Sequence, residues 1–211
     1  MHVSVSCVVE GHGEREAVPV LVRRIAQELT PPVTVEISRP IRIPKTKLLK
    51  DGELERAVEL ATRIAKPHGG ILVLLDSDTD CPAQLGPHLH QRAITACSGF
   101  PLAVILAKHE FEAWFLASAN SLSGQRGLSG CLHPPPDPES IQDPKGWLSS
   151  HMGGGRNYRE TLDQPALAAL FDLTAARHLD SFDKCYREVA RLVSGLRSGG
   201  PSVPSANEAA D

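Results

Sequence analysis

The sequence predicts an α/β fold on a mostly parallel sheet, and three observations lead there. Short, continuous apolar runs recur at residues 3–9, 70–75 and 101–107. Segments with helical spacing of apolar residues lie at 13–29, 53–66 and 82–97. The two kinds of segment alternate. Unbroken apolar runs mark strands buried on both faces, and a helix between successive strands is the connection that parallel pairing needs. The expectation is a four-stranded sheet flanked by helices within residues 1–120, then a loop and helical extension over 121–196 packed on it.

Each element has its own reason. "VSVSCVV" (3–9) is short and β-branched with turn residues after it, hence a buried strand. "GEREAVPVLVRRIAQEL" (13–29) spaces Ala17, Val18, Leu21, Val22, Ile25, Ala26 and Leu29 for one helical face, with Pro19 best placed in a first turn. "VTVEI" (33–37) alternates as a strand does. "RPIRIPKTKLLK" (39–50) holds Pro40 and Pro44 and reads as loop or edge strand. "ELERAVELATRIAK" (53–66) is an amphipathic helix stopped by Pro67 and Gly69-Gly70. "GILVLL" (70–75) is the clearest buried strand. "PAQLGPHLHQRAITAC" (82–97) is a helix weakened early by Gly86-Pro87, "PLAVILA" (101–107) a further strand, and "EFEAWFLASA" (110–119) a short helix. Residues 121–144 are rich in Ser, Gly and Pro and read as loop. Two or three helices follow; the best spans 182–196, with Ser181 as its expected N-cap and Gly195 near its end. Residues 197–211 have the composition of a disordered tail.

Composition narrows the function classes. The 211 residues are 41% hydrophobic and carry a net charge of -3, so any nucleic-acid binding needs a local basic patch rather than a basic chain. The five cysteines are scattered with no CxxC, which argues against a disulfide framework and a thiolate zinc site. Charge appears at Glu10, too early for a signal peptide, and no apolar run reaches membrane-spanning length. A soluble, cytoplasmic protein is expected; its oligomeric state is not readable.

The chemistry gathers at strand ends. In open parallel sheets, function collects beyond the carboxyl ends of the strands. Glu10 follows the first strand, Asp76, Asp78 and Asp80 follow "ILVLL", and His109, Glu110 and Glu112 follow the last strand. Carboxylates this close resist ionising together unless a cation joins them. "VVEGHGEREA" is a strand-to-helix turn made tight by Gly11 and Gly13, without a full dinucleotide fingerprint or a Walker lysine. "LLDSDTD" is not an EF-hand, because Cys81 and Pro87 stand where Gly and Glu are required. It fits a Mg²⁺ (or Mn²⁺) site of hard oxygens. It also fits an Asp-x-Asp phosphatase with Asp76 as nucleophile, although no convincing acidic pair of the kind such a phosphatase needs follows a later strand. A plain acidic loop is the third reading. Of the "HEFEAW" acids, Glu110 is nearer the strand end and is the expected inward group. Arg39, Arg42, Lys45, Lys47 and Lys50 form a basic strip without an acid among them. Arg156 and Arg159 beside Gly153–Gly155 form another, with Lys145 nearby. Both strips suit a phosphodiester backbone or an ordinary solvated loop.

A glutamate after strand one and an Asp-x-Asp after a later strand resemble the two motifs of Toprim domains, found in topoisomerases, primases and nucleases of the overcoming-lysogenization-defect type. The resemblance implies Glu10 as general acid/base, and Asp76 and Asp78 as magnesium ligands with Asp80 as auxiliary. Glu110 is the expected further ligand if a second metal binds. "LAKHEFEAWFLAS" (106–118), "DPKGWL" (143–148), "GGRNYRETLDQPALAALFDL" (154–173) and "SFDKCYREVARL" (181–192) resemble a bacterial family of unknown function, number 4276 of its series, over residues 3 to about 195. That family is expected to be Toprim-like and to neighbour an ATPase in mobile or defence modules. Strand transfer needs a nucleophilic tyrosine, and Tyr158 and Tyr186 both lie in the helical region, so hydrolysis is the expected reaction. The rival is a non-catalytic subunit that binds an ATPase partner or nucleic acid.

Overall fold

A computed structural model describes residues 2–65 and 68–199. The elements run β1 (His2–Val9), α1 (Glu14–Glu28), β2 (Thr34–Ile37), β3 (Ile41–Arg42), α2 (Lys45–Leu48), α3 (Glu53–Ile64), β4 (Gly70–Asp76), α4 (Pro82–Ala96), β5 (Leu102–Ala107), α5 (Ala113–Ala117), α6 (Pro144–Ser150), α7 (Glu160–Ala168), α8 (Leu173–Ala176) and α9 (Asp180–Arg197). Three short 3₁₀ turns lie between α5 and α6. All strand pairs are parallel, in the order β2-β1-β4-β5 with β3 also on β1.

The sheet has five strands rather than four. β2 pairs with the first half of β1 (Val3 opposite Val35) and β3 with the second half (Val8 opposite Ile41). Between them Pro40 cannot donate to the ladder, so one edge lane is split in two. The segment 39–50 is therefore edge strand and then a one-turn helix, α2. Pro19 lies beyond the first turn of α1. At the far end of the chain α9 begins at Asp180, not after Ser181. The Ser181 hydroxyl instead accepts from the Trp114 indole at 2.8 Å, a contact between distant segments that replaces the expected cap. The expected tail from 197 falls largely outside the described residues; 197–199 finish α9 and its turn.

Alternation along the strands separates two cores. Val3, Val5, Cys7 and Val9, with Leu72, Leu74, Ala103 and Ile105, face α1 and α9. Val8, Ile71, Val73, Leu75, Val104 and Leu106 face α3 and α4. The first core continues without a break into the later helices, where Phe171, Phe182 and Val193 join Phe111, Trp114 and Phe115. All five cysteines are free. Among the described residues no helix is long and apolar enough to cross a membrane.

Candidate functional site

From β1 the chain moves outward to β2, then returns to place β4 on the other side of β1. That reversal opens a crevice at the carboxyl ends of β1 and β4, where open parallel sheets bind ligands. Glu10 is the first residue after β1, and Asp76 is the last residue of β4. The third occupant is Glu14, the first residue of α1. One carboxylate oxygen from each of Glu10, Glu14 and Asp76 lies within 4.8 Å of the others.

Two of the three carboxylates are aimed by backbone amides. Glu14 is buried and turns back to accept from the amides of Glu10 and Gly11, each at 3.0 Å, so the loop and the helix start lock one another. Asp76 is buried and accepts from the Phe111 amide at 2.7 Å. Glu10 is partly exposed, and its Oε2 is buried with no hydrogen-bond partner. Burial pushes Glu10 up to about 7, helped by the Asp78 charge and opposed by Lys45 and Lys145. Burial also pushes Glu14 up to about 8 against the pull of the Gly11 amide. Asp76 is raised well above the carboxylate range by burial, then by Glu14, Glu112 and Glu10.

Behind this triad sits Glu112, fully buried, which accepts from Tyr158 Oη at 2.8 Å and Gln164 Nε2 at 3.2 Å. Burial lifts it to about 7, against Lys145 and the Tyr158 hydrogen bond. Asp143 caps α6 by accepting from the Gly146 amide, which sets Lys145 in the first turn. The Lys145 ammonium then reaches Glu110 at 3.2 Å and Glu112 at 3.6 Å. Burial works against its charge, but Glu112 and Glu110 raise its pKa.

The remaining acids and cations sit differently. Asp78 and Asp80 are 57% and 48% exposed, and both bind the buried Lys45 ammonium at 2.9 Å. Lys45 also donates to the Ser77 carbonyl at 2.6 Å, so it buttresses the β4 loop from below rather than facing solvent. Arg42 donates to the Glu10 carbonyl at 3.2 Å, and Lys47 pairs with Glu53 at 3.4 Å. Arg39 and Arg159 are exposed, and Arg156 lies 3.5 Å from Asp163. Of the two "HEFEAW" acids, Glu112 is the fully buried one and Glu110 stays partly exposed, because the chain enters α5 only at Ala113.

Glu14 is the residue that motif reading missed, and a signal for it existed. Ala17, Val18 and Leu21 follow it by three, four and seven positions, which puts it on the apolar face of α1. Strain marks the same place: Asp78 and His109 both hold left-handed backbone, φ 50 and 58. The two loops clasp each other through Asp78 N to the His109 carbonyl at 3.0 Å and His109 N to Ser77 Oγ at 3.0 Å.

The donor set fits a hard divalent cation. It is made of carboxylate oxygens, with one buried oxygen unpartnered and one ammonium against several buried acids. The family described as "Domain of unknown function (DUF4276)" matches the chain over residues 9–196. No curated protein and no solved structure matches.

Proposed function

Because the chain belongs to DUF4276, a family of unknown function, its chemistry has to be read from the site, and we propose that Glu10, Glu14 and Asp76 hold Mg²⁺ or Mn²⁺ in a Toprim-like phosphodiester hydrolase. The observation that carries this reading is the convergence of the three carboxylates within 4.8 Å, with Glu10 Oε2 partnerless, at the β1/β4 crevice. The cation would polarise a phosphodiester oxygen and offset the charge that develops in hydrolysis. The protein's own groups divide the remaining work. Asp76, tied to the Phe111 amide, and Glu14, tied to two amides, are fixed ligands. Glu10 is the more exposed acid, and burial lifts it to about 7, so it exchanges its proton near neutral pH and, once ionised, suits the role of base toward an attacking water. Lys145 keeps a fixed positive charge on the far side of the acids. Nucleic acid is the proposed substrate, and an ATPase the proposed partner.

The Asp-x-Asp phosphatase reading needs Asp78 free beside Asp76, and its ion pair with Lys45 weighs against that. The same ion pair is the feature that favours a non-catalytic subunit, in which the β4 loop is purely structural. Calorimetry with Mn²⁺, paired with cleavage of labelled DNA and RNA oligonucleotides, separates the readings. Wild type should bind the ion and cleave; Glu10→Gln and Asp76→Asn should lose both while keeping the circular dichroism of the fold. Asp78→Ala should retain the ion. Absence of ion binding and cleavage in the wild type leaves the non-catalytic subunit standing.

A further inference from the structure

We infer that Arg126 and Arg156 form a subsite for one backbone phosphate of a nucleic-acid strand, an inference that rests on the phosphodiesterase reading for its substrate class. The two guanidinium groups meet on Asp163, which is fully buried in the first turn of α7. Asp163 Oδ2 accepts from the Arg159 amide at 2.9 Å. Its Oδ1 lies 3.5 Å from Nη2 of each arginine and has no hydrogen-bond partner. One cation neutralises one carboxylate, so the second arginine is surplus to the needs of Asp163. The side chains of Arg126 and Arg156 are 45% and 43% exposed. Each guanidinium carries five donors in a fork that matches phosphate.

The pair is assembled by the backbone. Residues 127–129 and 151–153 are stitched together by Ser129 N to the His151 carbonyl and Gly153 N to the Gly127 carbonyl, both 2.9 Å, around the Leu128–Met152 bridge. Arg126 and Gly127 both hold left-handed backbone, φ 53 and 88. The φ of Gly127 is what calls for glycine there, and a Cβ on it would lie 2.7 Å from Arg156 Nη1 and push that side chain aside.

The same turn of α7 touches the acidic site. Glu160 accepts from the Gly13 amide at 2.9 Å, and Gln164, next to Asp163, donates to Glu112 at 3.2 Å. A surplus of positive charge thus stands beside a surplus of buried negative charge, as a polyanion needs when one phosphate lies at a cation site and a neighbour requires its own anchor.

The test is fluorescence anisotropy of a labelled single-stranded DNA of about 12 nucleotides, with the full chain in calcium buffer over a salt series. Arg126→Gln and Arg156→Gln should each weaken binding and flatten the log K against log salt slope by about 0.7. Each is also made with Asp163→Asn, so that no buried carboxylate is left under-paired. Asp163→Asn alone, which frees both arginines and keeps an acceptor for the Arg159 amide, should tighten binding. Wild-type affinity and slope in the arginine variants, or weaker binding by a folded Asp163→Asn protein, overturns the inference. Cleavage by wild type with no arginine dependence would sink the subsite alone. Arginine-dependent binding without any metal site would sink the hydrolase reading alone.

Discussion

A carboxylate buried at a helix start has to be matched by something, and for Glu14 the backbone supplies only part of the match. Two amides approach one of its oxygens at 3.0 Å, yet burial still lifts it to about 8, and Glu10 and Glu112 stand at about 7. The consequence for stability has a definite sign. Between about pH 4.5, where these groups ionise in the unfolded chain, and about pH 8, the folded protein holds more protons than the unfolded one. Metal-free protein therefore loses stability as pH rises through that window, and a divalent cation removes the loss. Melting temperature against pH should slope downward in EDTA and level out in Mg²⁺. Glu14→Gln keeps an acceptor for the Glu10 and Gly11 amides and discards the charge. It should stabilise the EDTA form at pH 7 on the order of 1–3 kcal/mol while weakening Mn²⁺ binding, whereas destabilisation in EDTA would show that Glu14 is held as a satisfied anion. At this scale the sequence exposed Glu10 and Asp76 through their places after apolar runs. It hid the fate of Asp78 and Asp80, because the Lys45 that claims them is 33 and 35 positions away in a segment with no period of its own.

At the scale of elements, the site depends on α1 and α7 meeting closely, and Gly13 is where they meet. A Cβ there would sit 2.2 Å from Gln164 Oε1 and 2.6 Å from the Glu160 carbonyl oxygen. The backbone atom cannot move without displacing α7. Gly11 is less constrained, since its added Cβ would meet the flexible Glu160 carboxylate at 2.9 Å. Gly13→Ala should cost roughly 1–3 kcal/mol in urea unfolding and weaken metal binding through Glu14, with Gly11→Ala the milder of the two. Equal effects would mean that the α1–α7 contact adjusts freely. The glycines themselves were visible in "EGHG", and a tight turn is what they suggested. Their actual demand is steric, because Gly13 has ordinary helical backbone, φ -69, and it comes from residues about 150 positions later. Local pattern also located α1, α3, β4, α4 and β5 within a few residues. It blurred 39–50, where two residues of strand and one turn of helix are each too short to show periodicity.

For the molecule as a whole, the change of texture near residue 120 suggested a loop-rich extension packed on an α/β unit. The two halves share one apolar core. One face of the sheet is covered by α1 and α9, and α7 lies along α1. Without the later helices, Trp114 would lose Phe182 and the Ser181 hydroxyl, and Phe115 would lose Phe171. Each large side chain left exposed in this way costs about 1.5–3 kcal/mol, several of them against a total stability of about 5–15 kcal/mol. The acidic site would suffer with the core, because Lys145, Tyr158 and Gln164 all reach Glu112 from the later half. A fragment of residues 1–120 should therefore lack a cooperative urea transition and bind no Mn²⁺, although it contains Glu10, Glu14, Asp76 and Glu112. A fragment that unfolds cooperatively and still binds the ion would show that the sheet and its crevice are complete without the extension, and that the later helices serve the substrate alone.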